Sequence, residues 1–296
     1  MAVVLGDNQY GKSQIRLMKV DRDADGGRHA LHDLNVSVLL AGDMTATHLD
    51  GDNSTVLPTD TQKNTVYAFA REHGVGEIEE FALLLARHFV DSQPSVDRAR
   101  VRIEEYPWDR VTVAGRPAAH SFVQAGAEAR TVSVTYDGQG AWVVSGVTDL
   151  VLLNSTGSEF TGYLKDRYTT LGEATDRILC TSVNAQWRHV GRHTSTTADW
   201  AKPHDAARDA LSEAFADTYS RSLQQTLYAM GERLIGSCDG VAEVRLSLPN
   251  RHHFLVDLSP FGLDNPGQVF HVDDRPYGLI EGTILADDAS AAPEAW

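Results

Sequence analysis

Cysteine, basic charge and long apolar runs are all scarce in this chain. Its only cysteines are Cys180 and Cys238; two thiols cannot staple a chain of 296 residues, no C-x-x-C pair is present, and a reducing compartment is expected. Lys plus Arg number 26 against 41 for Asp plus Glu, a net charge of −15. That balance argues against a nucleic-acid partner, because a phosphate backbone requires a basic face. No apolar run approaches the ~20 residues that cross a bilayer, so no membrane association is expected. The N-terminal MAVVLGDNQYGK lacks the basic lead and apolar stretch of a secretory signal, and the C-terminal ASAAPEAW carries no peroxisomal tripeptide. A cytoplasmic protein is the expectation.

Chemical motifs are sparse too. No G-x-G-x-x-G follows a strand, Gly11-Lys12-Ser13 lacks the preceding glycine of a phosphate loop, and H-E-x-x-H is missing. His252 and His253 are adjacent, so in a strand they face opposite ways and cannot share a metal. His189 and His193 flank Gly191 in what reads as strand and loop. The expectation is no metal and no cofactor.

What is present is ordinary globular composition, 42% hydrophobic and 23% charged, in a chain longer than one core usually covers. Leu34, Val36, Val38 and Leu40 alternate with Asn35 and Ser37 as a half-buried strand, and Ile15 and Leu17 mark an earlier partner. Thr59 and Asp60 stand as capping residues before one helix that Gly74 closes. Ile78, Phe81, Leu85 and Phe89 recur at helical spacing in a second, stopped by Pro94. Val101 and Ile103 alternate in a strand, and 117–136 holds at least one more. The order then repeats. Thr131–Tyr136 and Ala141–Leu153 flank a Gly138-Gln139-Gly140 turn as a hairpin, and a strand near Thr181–Val190 follows. Helices over His204–Ser220 (Leu211, Phe215) and from Ser222 to Gly240 (Leu223, Leu227, Met230, Leu234) come next, then strands at Val244–Leu248 and within Gln268–Leu285. The fold class expected is therefore α+β: two tandem units over 1–138 and 139–286, each an antiparallel four-stranded sheet with two helices on one face, and a frayed tail over 287–296. Strand edges left open invite closure with further copies.

Several places offer chemistry. Val151–Arg177 strings Phe160, a run of hydroxyls and Arg177 between apolar segments, which suits a flat anion needing a stacking surface and a two-pronged cation. A surface loop with a salt-bridged arginine fits the same text. Lys12 at the entry to the first strand also fits a solvated lysine, and Thr59 and Asp60 are explained by capping. Gln224 falls in the first turn of a helix, where free N–H groups favour an anion, or it is a plain surface glutamine. In Leu248–Phe254 a bent strand concentrates Asn250, Arg251, His252 and His253, polar groups that need partners when buried.

YGK, PTDTQKNTVYAFA, STGSEFTGY with YTTL and DRIL, and SLPNRHHFLVDL together resemble the urate oxidase (uricase) family, collinearly over nearly the whole chain. The resemblance implies a tunnelling fold and oxidation of urate by O2 without metal or flavin, giving 5-hydroxyisourate and hydrogen peroxide. It implies that Phe160 stacks on the purine, that Arg177 and Gln224 clamp its edges, and that the Leu223 backbone adds a donor. It further implies a proton relay of Lys12, Thr59 and His252, with Asn250 and Thr59 holding water or dioxygen and Asp60 and Leu171 lining the pocket. The assembly implied is a homotetramer with a central tunnel, in which Lys12, Thr59 and Asp60 come from a neighbouring subunit. Asn154 and Pro58 depart from the family's usual text, and Arg251 stands where lysine is also common, which keeps the charge. A pterin-processing enzyme of the same fold, a cyclohydrolase or aldolase, is the alternative, but such enzymes anchor their ring with a carboxylate where this chain has Gln224. A non-catalytic urate-binding protein is a third reading, against which Lys12, Thr59, Asn250 and His252 stand.

Overall fold

Leu34, Val36, Val38 and Leu40 are all fully buried on one face of β2 (Arg28–Ala41), as their alternation requires. A computed structural model describes residues 2–24, 27–193 and 200–296. β2 pairs antiparallel with β1 (Tyr10–Ala24) on one side and β3 (Arg98–Tyr106) on the other, and β3 pairs with β6 (Ala129–Tyr136). A short helix, α1 (Thr45–Asp50), precedes the two long ones, α2 (Thr59–Glu72) and α3 (Ile78–Ser92). The stripe Ile78, Phe81, Leu85, Phe89 joins Val66 and Ala70 of α2 and Val36, Val38, Val101 and Val134 of the sheet in one apolar cluster. Truncating a side chain such as Phe89 in that cluster would cost about 3–5 kcal/mol.

These elements belong to a unit made of Met1–Gly146, Arg188–Lys202 and Ser290–Trp296; the second unit is Val147–Trp187 with Pro203–Ala289. β7 (Ala141–Asn154) leaves the first and enters the second. In the second unit β7 neighbours β8 (Leu179–His189), β8 neighbours β9 (Val241–Pro249), and β9 pairs antiparallel with β12 (Leu279–Leu285). Two helices, α4 (Ala201–Asp217) and α5 (Leu223–Ser237), contribute Leu211, Phe215, Leu227, Met230 and Leu234 to a cluster with Val183, Val244, Leu246 and Leu248. A Cβ on Gly231 of α5 would meet Ile284 at 2.6 Å, and one on Gly282 of β12 would meet Leu227 at 2.8 Å. The helix can lie this close to the strand only because both positions lack side chains.

Each unit thus carries the expected strand–strand–helix–helix–strand–strand order. Two hairpins add to it at equivalent places, before the last strand of each unit. β4 (Trp108–Val113) pairs with β5 (Arg116–Gln124), and β10 (His252–Leu255) with β11 (Phe270–Asp273). The C-terminal residues, whose composition suggested fraying, are tied down within the first unit: Ala295 is fully buried, and the carbonyls of Glu294 and Ser290 each accept a guanidinium N–H at 2.8 Å, from Arg100 and Arg188. No helix among the described residues is long and apolar enough to cross a membrane.

Candidate functional site

Lys12, Thr59 and Asp60 lie in the first unit. A Cβ on Gly11 would sit 1.8 Å from the carbonyl oxygen of Val38, so only glycine lets β1 approach β2 at this point. The register then slips between Lys12 and Ile15, with Gln14 at φ 58° and its N–H donated to Ser37 Oγ; a bulge of this kind re-aims the side chains beside it. Lys12 is half-buried and makes no hydrogen bond or ion pair to any described residue. Thr59 and Asp60 were expected to cap α2 from outside. They are instead its first two residues, with Pro58 (φ −54°, ψ 139°) at the cap position and no side-chain cap bond. Capping therefore does not explain either residue. Proline suits the place, since its ring holds a helix-compatible φ and the Pro58 carbonyl accepts from Gln62 N at 3.1 Å. Asp60 accepts from Lys63 and Asn64; the Lys63 bond and charge, with the more distant charge of Lys12, hold its carboxyl below the usual carboxylate range. Tyr10 links the two segments, its hydroxyl accepting Leu57 N–H at 2.9 Å.

In the second unit the chain after β7 forms a loop closed at its base. Phe160 N–H donates to Ala174 O at 2.7 Å and Ala174 N–H returns to Phe160 O at 3.1 Å. Arg177 N–H donates to the carbonyl of Ser158 at 2.9 Å, and its Nε to Ser158 Oγ at 3.1 Å. Ser158 is fully buried. The Arg177 Cζ lies 5.3 Å from the centroid of the Phe160 ring. Burial pulls the guanidinium pKa down, and no carboxylate among the described residues pairs with it. The salt-bridged surface arginine allowed by the sequence is not what is found. Leu171 is exposed, and its carbonyl accepts the Tyr163 hydroxyl.

The same loop is sewn to the start of α5. Glu159 N–H donates to Ser220 O at 2.8 Å and Ser220 N–H to Gly157 O at 3.0 Å. Ser222 caps α5 by accepting Gln225 N–H at 3.2 Å, while Gln225 Oε1 accepts Arg221 N–H at 2.9 Å. This reciprocal cap uses the third N–H of the helix and leaves those of Leu223 and Gln224 without an intrahelical acceptor. Leu223 is buried; Gln224 is exposed, and its carboxamide meets no described residue. Asn250 and His252 arrive from β9 and β10. Asn250 N–H donates to Gly278 O, and Arg251 N–H to Cys180 O, each at 2.8 Å, so this bend sits against the first residues of β8, shortly after Arg177. His252 stacks on Phe254 with centroids 5.7 Å apart, and neither it nor the Asn250 side chain has a hydrogen-bond partner among the described residues.

The second unit therefore carries a stacking ring, a guanidinium without a carboxylate partner among the described residues, two helix N–H groups without an intrahelical acceptor, a carboxamide and an imidazole. Together they suit a planar anion with acceptors on its edges. Ser158, which holds Arg177, is the residue of this candidate site that sequence reasoning passed over: one hydroxyl in a run of hydroxyls gives no signal of its own. Asn154 keeps a structural bond, donating Nδ2 to the Phe215 carbonyl at 2.8 Å near the end of α4. Among the described residues no three His, Cys, Asp or Glu side chains form a metal-holding group.

The family model for uricase matches residues 8–135 and 143–281, its gap falling at the turn between β6 and β7. The chain is 46% identical to the uricase of Arthrobacter globiformis over 294 residues, 99% of this chain and 94% of that protein. It is 37% identical to the uricase of Schizosaccharomyces pombe over 282 residues, 93% and 95% of the two chains. The crystal structure of the Arthrobacter globiformis uricase matches with a TM-score of 0.91, covering 99% of this chain and 98% of that one. At 22% identity the Bacillus fastidious uricase structure shares the fold, with a TM-score of 0.80.

Proposed function

Because the chain belongs to the uricase family, we propose that it oxidises urate with dioxygen and water to 5-hydroxyisourate and hydrogen peroxide. The observation that carries this reading is the half-buried Arg177 guanidinium, fixed through Nε by Ser158 and left without a counter-ion among the described residues. A desolvated cation of this kind is poised for an anion with paired acceptors. Urate is such an anion, planar enough to stack on Phe160. Gln224 and the Leu223 N–H take its opposite edge, and Leu171 and Asp60 line the pocket.

Two electrons leave the purine and reduce O2 to peroxide, while water supplies the oxygen that ends on the ring carbon. Urate becomes a ready electron donor once a second proton is removed, so the protein's work is to take that proton and balance the dianion. Arg177 stays cationic throughout. Lys12, Thr59 and His252 form the relay, supported by an ammonium, a hydroxyl freed from capping and an imidazole whose polar atoms have no hydrogen-bond partner among the described residues. Asn250 and Thr59 hold water or dioxygen over the ring. No metal or organic cofactor enters the scheme, because the substrate itself supplies the electrons.

The proposed assembly is a homotetramer enclosing a tunnel, with Lys12, Thr59 and Asp60 of one subunit completing the site of another. Among the described residues β1 pairs only with β2 and β12 only with β9, so each offers an open edge for a further copy. A cytoplasmic location belongs to the same reading, supported by the free thiols of Cys180 and Cys238. The test is optical: purified protein treated with a strong chelator should bleach the urate band and evolve peroxide in air, and do neither under nitrogen. No bleaching would defeat the reading, and restoration only by added metal would defeat the cofactor-free chemistry.

A further inference from the structure

Tyr163 touches two of the pocket residues that the loop after β7 supplies, Phe160 and Leu171. Its ring stacks on Phe160 with centroids 4.8 Å apart and planes 11° from parallel, and its hydroxyl is donated to the backbone carbonyl of Leu171. The Lys165 ammonium lies 5.3 Å from the Tyr163 centroid and is itself held by Glu173 at 3.0 Å. Residues 161–173 contain no helix or strand, and the bridge between Phe160 and Ala174 closes their base. Compact loops of this kind are held by their own side chains. Here the internal strut is Tyr163.

We infer that Tyr163 is a positioning residue for the oxidation of urate: it stacks on one face of the Phe160 ring, backs the ring on which the purine meets the Arg177 guanidinium (Cζ 5.3 Å from the ring centroid), and fixes Leu171 at the same time. The inference rests on the urate-oxidising reading. With one face taken by a near-parallel tyrosine, the phenylalanine cannot tilt or flip aside without losing that contact, so the angle of the ring is preset for a flat ligand. The hydroxyl extends the control to the backbone of Leu171, a residue 57% exposed. Both residues it holds, Phe160 and Leu171, belong to the binding surface, so its influence belongs to binding and not to proton transfer.

The experiment compares the unaltered protein with Tyr163→Leu and Tyr163→Phe, reading KM and kcat in air and the Kd for urate under nitrogen. Tyr163→Leu removes strut and stack, and should raise KM and the anaerobic Kd about tenfold with kcat within about threefold. Tyr163→Phe keeps the stack and loses only the bond to Leu171, so it should restore most of the affinity, leaving KM about twofold to threefold high. Thermal melting of each variant controls for folding. A KM for Tyr163→Leu equal to or below that of the unaltered protein overturns the inference, since it would mean that Tyr163 covers the urate face. A fall in kcat at constant KM overturns it as well. Should Tyr163→Leu fail to fold, an unchanged KM and Kd in Tyr163→Phe overturns the coupling to Leu171. Turnover of urate by the unaltered protein reports on the functional reading separately.

Discussion

Arg177 is held twice by the same buried residue, through its backbone N–H to the Ser158 carbonyl at 2.9 Å and through Nε to Ser158 Oγ at 3.1 Å. The second bond points the remaining guanidinium nitrogens away from the anchor, towards whatever anion arrives. Ser158→Ala keeps the backbone bond and frees the fork. KM for urate should rise about fivefold to tenfold with a smaller loss in kcat, whereas Arg177→Ala should lower kcat/KM by about a hundredfold or more. Steady-state kinetics on both variants check this, and an unchanged kcat/KM in either would show the clamp misassigned.

Lys12 carries no ion pair or hydrogen bond to a described residue, so its removal leaves no stranded carboxylate. Lys12→Met should slow turnover by about a hundredfold while urate affinity stays within a few-fold. The pair of measurements is single-turnover rate and anaerobic urate titration. Lost binding with normal turnover would contradict a role in the relay.

Gly11→Ala should destabilise the protein. The added Cβ meets backbone, Val38 O at 1.8 Å, and backbone cannot swing aside as a side chain can. A loss of about 1–3 kcal/mol in urea-unfolding stability is expected, together with reduced activity because Lys12 is the next residue along the displaced strand. Retention of full stability would mean that β1 can shift without cost.

His189 provides a pH signature. Its Nε2 lies 3.0 Å from Ser145 Oγ, which in turn donates to the buried Glu79 at 2.8 Å. Burial, and secondarily the neighbouring His193, push its pKa down to about 3. The unfolded chain binds a proton here near pH 6.5 and the folded one does not, so stability is lost as pH falls below that value, at up to about 1.4 kcal/mol per pH unit. Between pH 6.5 and 5 the contribution is about 2 kcal/mol. His189→Gln should remove that part of the acid sensitivity in urea unfolding at the two pH values. An equal acid loss in the variant would place its origin elsewhere.

Charge and periodicity determined much of this protein from the sequence alone. The alternation from Leu34 to Leu40, the helical stripe from Ile78 to Phe89 and the stripe from Leu223 to Leu234 all rest on neighbours a few residues apart, whose shared face is dictated by the period of a strand or helix. The two added hairpins escaped this logic, since β4, β5, β10 and β11 are mostly exposed and carry no apolar period to see. Family resemblance named Phe160, Arg177 and Asn250; it could not say what each touches. Only the tertiary structure decided that Arg177 rests on Ser158 without a carboxylate among the described residues, that Thr59 begins α2 instead of capping it, and that Tyr163 lies on Phe160. Contacts such as these depend on where a loop closes and which backbone groups remain free, and packing between distant segments sets both.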